Sequence, residues 1–134
     1  MSTEAVLRQK ARLYFDTPGG DVAHASALYH DDVVLEFPQS GERFEGRDRF
    51  TEWRSRYPTD INHELRRLTV RHDLVIAEVA IRYEADGPTV YGVALLDFEG
   101  DRIARERIYV MEGWDAPDWR RPWRSDEGHG GSGE

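Results

Sequence analysis

The sequence of 134 residues contains no cysteine. This excludes disulfide bonds, thiolate zinc sites and a cysteine nucleophile, and it is consistent with a cytoplasmic location. Long apolar runs are also missing, because no stretch approaches the roughly 18 residues of a membrane-spanning helix. The N-terminal stretch MSTEAVLRQK lacks the apolar core of a signal peptide. We therefore expect neither export nor a membrane partner.

Basic residues are outnumbered by acidic ones. The chain has 18 Lys and Arg against 26 Asp and Glu, which gives a formal net charge of -8 at pH 7. An acidic surface repels phosphate backbones and anionic lipid. We therefore expect no nucleic-acid partner.

Cofactor and metal motifs are scarce. The sequence has no P-loop and no G-x-S-x-G, and no glycine-rich G-x-G-x-x-G follows a predicted strand. The five histidines show no close ligand spacing such as H-x-x-x-H. We expect neither a cofactor nor a metal, so any chemistry must come from ordinary polar side chains.

Hydrophobic periodicity separates helices from strands along the chain. Apolar residues at helical spacing predict helices over 3–16, 21–29 and 47–57. Alternating stretches predict strands over 33–37, 61–72, 74–85, 89–98 and 102–114, with the turn at 38–46 leaving room for one more. Helices followed by a strand meander predict an α+β domain with an antiparallel sheet over 1–123. The Gly-rich residues 124–134 are expected to form a flexible tail.

Three stretches carry a resemblance to a known family. ALYHDDVVLEFPQSGERFEGRDRF and LLDFEGDRIARERIYV resemble the nuclear transport factor 2-like superfamily, which includes ketosteroid isomerase and the SnoaL-like polyketide cyclases. EGWDAPDWRRPW resembles the tail of a subgroup of small SnoaL-like proteins. The resemblance implies a cone-shaped, curved antiparallel sheet wrapped around the N-terminal helices, with a ligand pocket on the concave face. It also implies a homodimer formed through the convex face.

The resemblance implies which positions should carry catalytic carboxylates, and several of these positions hold an apolar residue instead. Phe37 stands where the isomerase has its aspartate base, and Ala94 stands where it has an oxyanion-binding acid. The cyclase aspartate of the last strand falls near Met111. Tyr14 matches the oxyanion-hole tyrosine, whose phenol donates to a carbonyl; the alternative is a core tyrosine with a satisfied hydroxyl.

Glu106 is the candidate acid that remains. If Ile108 and Val110 face the pocket, Glu106 faces it too by the period of two in a strand. Among apolar neighbours it would have a raised pKa and could act as a general base or acid. The alternative is a salt bridge to a neighbouring arginine. By the same alternation, Glu36 and Glu78 are expected on the outer face.

The remaining candidates would hold the ligand. We expect Phe37, Trp53, Tyr57, Val79 and Ala94 to line an apolar pocket, with His63 as an additional polar group; a plain hydrophobic core is the alternative. Trp114, Trp119 and Trp123 could close the pocket mouth or pack across a dimer.

Two functions are consistent with this pattern. The first is a cofactor-free cyclase or isomerase that acts by acid-base chemistry on a small apolar or aromatic, carbonyl-bearing molecule such as a polyketide. In it, Glu106 transfers the proton and Tyr14 polarises the carbonyl. The second is a non-catalytic ligand-binding or dimerisation module of the same fold. Epoxide opening, a third activity of the superfamily, usually needs an Asp-Arg-Asp cluster that the inward positions do not supply.

Overall fold

A computed structural model describes residues 3–16, 27–56, 62–83 and 87–125. The elements, in chain order, are α1 (Thr3–Asp16), β1 (Tyr29–Phe37), β2 (Glu42–Glu45), α2 (Arg47–Ser55), β3 (Asn62–Arg71), β4 (Leu74–Arg82), β5 (Val90–Glu99), β6 (Arg102–Glu112) and a 3-10 helix (Asp118–Trp123). No helix among the described residues is long and apolar enough to cross a membrane.

Helix α1 forms over the residues that the sequence predicts, and it packs on β3 and β4. Its buried residues Leu7, Ala11 and Tyr14 recur at helical spacing and turn one stripe toward the sheet. Glu4 in the first turn suits the positive end of the helix dipole. Its Oε2 also accepts a hydrogen bond of 2.8 Å from the backbone N–H of His72, at the β3–β4 turn.

The six strands form one sheet in the order β2-β1-β6-β5-β4-β3. The meander from β3 to β6 is antiparallel throughout, as is the β1–β2 hairpin. β1 and β6 pair in parallel, so the sheet is mixed at this one junction. These two strands are far apart in sequence, and no tight turn forces them to run in opposite directions. The predicted α+β class, with a curved and unclosed sheet, is confirmed.

Alternation decides which side chains of the meander face the helices. Val75, Ala77, Val79 and Ile81 of β4 are buried on the inner face, as the sequence predicted, while Glu78 is exposed. Their partners on β5 are the inner-face residues Leu96, Ala94, Gly92 and Val90. This face, covered by α1 and α2, carries the hydrophobic core.

A bulge in β6 sets the position of Glu106. Asp97 pairs with Arg105, but the next residue, Phe98, pairs with Ile103, so Ala104 is an extra residue on β6. An extra residue shifts the alternation by one position. Both Ile103 and Glu106 are therefore buried, although they are three residues apart.

Two secondary-structure predictions need correction. The predicted second helix ran to residue 29, but Tyr29 and His30 belong to β1, which begins four residues before the predicted strand. Tyr29 pairs with Ile103 of β6 and is fully buried. Pairing with a distant strand thus overrides the local helical pattern. Residues 21–26 of that helix lie outside the described residues.

Two further predictions remain open. Helix α2 ends at Ser55, and Tyr57, a predicted pocket residue, lies outside the described residues. The domain boundary at 123 and the flexible tail also stay predictions, because only residues 124 and 125 of the tail are described.

Candidate active site

Four polar side chains from four elements form a continuous chain on the inner face. The Arg54 Nη1 of α2 lies 3.3 Å from the Tyr14 hydroxyl of α1. That hydroxyl lies 2.9 Å from the hydroxyl of Tyr29 on β1, which in turn lies 2.5 Å from Oε1 of Glu106 on β6. We call Tyr14 and Tyr29 the tyrosine relay, because they connect the guanidinium to the carboxylate.

Glu106 is the buried acid of this group. Only 2% of it is exposed, and its strand neighbours in register are Leu35 and Leu96, both fully buried. Burial raises the pKa of the Glu106 carboxyl, while the Tyr29 hydrogen bond and the charge of Arg54 oppose this rise. A carboxyl held in this way keeps its proton to a higher pH than a solvent-exposed glutamate does. The orientation is the predicted one; the catalytic role stays a prediction.

The alternative interpretation of Glu106 as a salt-bridged surface acid is wrong. Its neighbours Arg105 and Arg107 point to the other face of β6, where Arg105 binds Glu36 at 2.6 Å and Arg107 lies 3.8 Å from Asp97. Glu106 instead accepts from a phenol, and its negative charge is stabilised through the relay.

The tyrosine relay has a defined direction that depends on Glu106. Burial raises the pKa of both Tyr14 and Tyr29, so both phenols are protonated at neutral pH. Arg54 can only donate, and an ionised Glu106 can only accept. Protons then point from Arg54 to Tyr14, from Tyr14 to Tyr29 and from Tyr29 to Glu106. Each hydroxyl donates once and accepts once.

Protonation of Glu106 reverses this direction. A neutral Glu106 can donate to Tyr29, and Tyr29 then donates to Tyr14, which already accepts from Arg54. The Tyr14 hydrogen has no acceptor left within the chain of four and is free for a ligand oxygen. One proton on Glu106 thus redirects the Tyr14 hydrogen from Tyr29 toward a ligand, although Glu106 itself is buried.

His63 of β3 lies close to the same group. Its ring centroid is 6.1 Å from that of Phe15, edge to face. Burial, and secondly the charge of Arg54, lower the pKa of His63 to about 4. His63 is therefore a neutral imidazole at pH 7, able to donate or accept one hydrogen bond but carrying no charge.

Aromatic rings border this polar group. Phe37 and Phe44 lie 6.1 and 5.2 Å from the ring of Trp53, between centroids, and Phe50 lies 5.6 Å from it. Phe37 and Trp53 are partly buried and pack against the core. Two other predicted pocket residues, Val79 and Ala94, are buried on the inner face.

Glu36 lies on the outer face, as predicted, and is engaged there. Its Oε1 accepts from Nε of Arg105 at 2.8 Å, and Arg43 lies 3.4 Å from its other oxygen. The hydrogen bond from Arg105 is the main reason that the pKa of Glu36 is lowered. Glu36 thus belongs to a surface ion-pair cluster.

Sequence reasoning missed Tyr29 and Arg54 as site residues. Arg54 stands four residues after Phe50 and one after Trp53, and that helical spacing could have placed it on the same face of α2. Tyr29 was assigned to a helix, and only its pairing with Ile103 reveals its direction. Within the described segments, no three His, Asp or Glu side chains are grouped so as to hold a metal ion.

An open six-stranded sheet with this strand order, covered by helices on its inner face, defines an NTF2-like protein. The chain is similar to an NTF2-like protein of unknown function from Burkholderia xenovorans LB400, with 30% identity and a TM-score of 0.83 over 90% of this chain and 94% of that one. It is also similar to a proposed ketosteroid isomerase from Kribbella flavida, with 27% identity and a TM-score of 0.82 over 92% and 91%.

The family follows from a second comparison. The family described as the SnoaL-like domain matches residues 12–106, more than half of the chain. The chain therefore belongs to the SnoaL-like domain family. A proposed SnoaL-like polyketide cyclase from Shewanella putrefaciens shares the fold at 14% identity, with a TM-score of 0.68 over 83% of this chain and 81% of that one. The sequence has no match among curated proteins.

Proposed function

We propose that the protein is a cofactor-free cyclase or isomerase that acts by acid-base chemistry on an apolar, carbonyl-bearing small molecule such as a polyketide. The observation that supports it is the connected chain of Arg54, the tyrosine relay and Glu106. A merely structural buried acid would not need a connection to a hydroxyl whose hydrogen can turn from a neighbouring tyrosine toward a ligand.

The proposed step moves one proton through the relay. A C–H bond next to the ligand carbonyl breaks, and its proton goes to the Tyr14 oxygen. The Tyr14 proton passes to Tyr29 and the Tyr29 proton to Glu106, so the electron pair of the C–H bond remains on the ligand as an enolate. Tyr14 then donates to the enolate oxygen, and Arg54 stabilises its charge. Reversal of the relay returns the proton to another carbon or to a cyclised product.

In this proposal the aromatic border holds the ring system of the ligand. Phe37 and Trp53 supply apolar surface beside the relay, Val79 and Ala94 form the floor on the sheet, and His63 supplies an uncharged polar contact. Tyr57 is expected to contribute as well.

The test uses 2-tetralone, a bicyclic ketone with acidic α-protons, in deuterated buffer. The protein should accelerate deuterium incorporation next to the carbonyl, measured by NMR. Glu106→Gln should lower this acceleration by about a hundredfold or more, the usual contribution of a general base. Tyr29→Phe should act similarly because it interrupts the relay. Glu78→Gln, which alters an exposed acid on the outer face, is the matched control and should leave the rate unchanged.

The rival function is a non-catalytic ligand-binding module of the same fold. Phe37 and Ala94 favour it, because they leave two positions without the carboxylates that the isomerase resemblance implies. Saturable binding of 2-tetralone without any acceleration of exchange would support this rival, and it would contradict the enzyme.

A homodimer and a cytoplasmic location are part of the same proposal. Tyr91 pairs with Met111 and Val93 with Tyr109 on the outer face of the sheet. These four residues form an apolar stripe, in which Tyr91 and Met111 are 40% and 38% exposed. Exposed apolar stripes of this kind are typical of protein contacts, and a second copy of the chain would cover it.

A further inference from the structure

Arg54 is a half-buried cation with few protein partners. Its guanidinium lies over the ring of Phe50, 5.1 Å from the centroid, and makes one long hydrogen bond of 3.3 Å to the Tyr14 hydroxyl. Among the described residues, no Asp or Glu oxygen lies within 4.0 Å of it. A guanidinium has five N–H donors in a planar fork, and most of them are left without a protein acceptor here.

Other arginines of the chain show the usual arrangement. Arg47 pairs with Asp31 at 2.7 Å and Arg105 with Glu36 at 2.6 Å. The acid that faces Arg54 is Glu106, and the two tyrosines separate them. Arg54 is half-buried, and it has guanidinium donors that make no hydrogen bond to the described residues. A ligand carboxylate on the inner face can therefore supply the missing partner.

We propose that Arg54 binds the carboxylate of an acidic ligand, so that the preferred substrate is an aromatic or polycyclic acid. A planar guanidinium binds a carboxylate through two parallel hydrogen bonds. Phe50 fixes the plane of the guanidinium from one side. The rings of Phe37 and Trp53 border the same region and suit the apolar part of such an acid.

Ligand binding at Arg54 should be coupled to the proton on Glu106. The groups that face Arg54 are Tyr14 of α1, Tyr29 of β1, His63 of β3 and Glu106 of β6. His63 and both phenols are uncharged at neutral pH. A bound carboxylate offsets the charge of Arg54, which otherwise stabilises ionised Glu106. Binding should then raise the pKa of Glu106 and make it a stronger proton acceptor for the relay.

The experiment compares a matched pair of probes by calorimetry at pH 7. 2-Naphthoate and 2-naphthamide have the same ring system and differ in charge. The wild-type protein should bind 2-naphthoate about 10- to 100-fold more tightly, as expected for hydrogen bonds to a charged group. Arg54→Met should remove this preference, whereas Arg54→Lys, which keeps the charge but loses the fork, should retain part of it.

Arg49→Met is the matched control, because Arg49 is an exposed arginine on the same helix. It should leave the preference for 2-naphthoate unchanged. Equal binding of the two probes by the wild-type protein would overturn the proposal. So would an equal loss of both probes in Arg54→Met, which indicates lost packing on Phe50, or no binding of either probe at millimolar concentration. If Arg54→Met does not fold, Arg54→Lys provides the test. A preference for 2-naphthoate that is weaker than in the wild-type protein supports the proposal, and an unchanged preference contradicts it.

This inference rests on the proposed function only in placing the ligand on the inner face. Charge-selective binding is measured without turnover. Selective binding of 2-naphthoate together with no exchange of 2-tetralone protons would therefore contradict the enzyme and support the carboxylate site. Exchange without charge selectivity would contradict the carboxylate site and support the enzyme.

Discussion

His63 shows how a single residue acquires its state from its neighbours. Burial, and secondly the charge of Arg54, lower the pKa of this imidazole from 6.5 to about 4. We expect the His63 ring protons to titrate with a midpoint near 4 in an NMR pH series. Arg54→Met should raise the midpoint but leave it below 6.5, because burial remains. A wild-type midpoint near 6.5 would contradict this account.

Glu106 should make stability depend on pH in the opposite sense to a salt-bridged acid. Its pKa is raised above 4.5 in the folded state, so the native protein binds more protons than the unfolded chain above that pH. Stability from this group is then fully present below pH 4.5 and is lost as pH rises through the folded pKa. Urea unfolding measured from pH 4.5 to 8 should show that the wild-type protein loses this part of its free energy of unfolding and that Glu106→Gln does not. A parallel pH dependence of wild type and variant would refute the assignment.

At the scale of the element, Gly46 positions α2 and with it Arg54. It joins β2 to α2 with φ of 99° and ψ of 134°, a conformation that residues with a Cβ rarely adopt. Its N–H donates to the carbonyl of Val33 at 2.8 Å and ties the start of α2 to β1. Space does not restrict a methyl group here, since nothing lies within 4 Å of the Cβ position. Backbone strain alone therefore requires glycine.

Gly46→Ala should consequently destabilise the fold by about 1–3 kcal/mol, the usual cost of a strained backbone conformation. Denaturant unfolding measures this loss of stability, and the m-value should stay unchanged. Gly113→Ala introduces the same methyl group at an exposed glycine without a positive φ. We expect a change of no more than about 0.5 kcal/mol there. Equal effects at the two positions would show that the strain argument is wrong.

At the scale of the whole molecule, the proposed dimer depends on the apolar stripe of the outer sheet face. Light scattering should give twice the 15.5 kDa mass of one chain. Tyr91→Glu should yield a monomer, because a buried unpaired charge in the stripe is costly. Leu13→Glu changes an exposed residue of α1, away from this face, and should leave the dimer intact. A monomeric wild-type protein would contradict the proposed homodimer.

Most of the fold follows from local patterns. The alternation in β4, the short hairpin between β5 and β6 and the helical stripe of α1 are properties of neighbouring residues, and all three appear where the sequence indicates. The parallel pairing of β1 with β6 and the position of Tyr29 in a strand are different. Both depend on contacts between residues more than 70 positions apart, which a pattern of neighbours does not encode.

The same division holds for the site. The sequence by itself determined that Glu106 shares a face with Ile108 and Val110, because strand alternation is a local rule. It also determined that Glu36 lies on the opposite face from the core. Only the tertiary structure decided what Glu106 contacts. The bulge at Ala104, the inward turn of Tyr29 and the approach of Arg54 each arise from packing between elements. A hydrogen-bonded chain across four elements exists only once those elements are assembled.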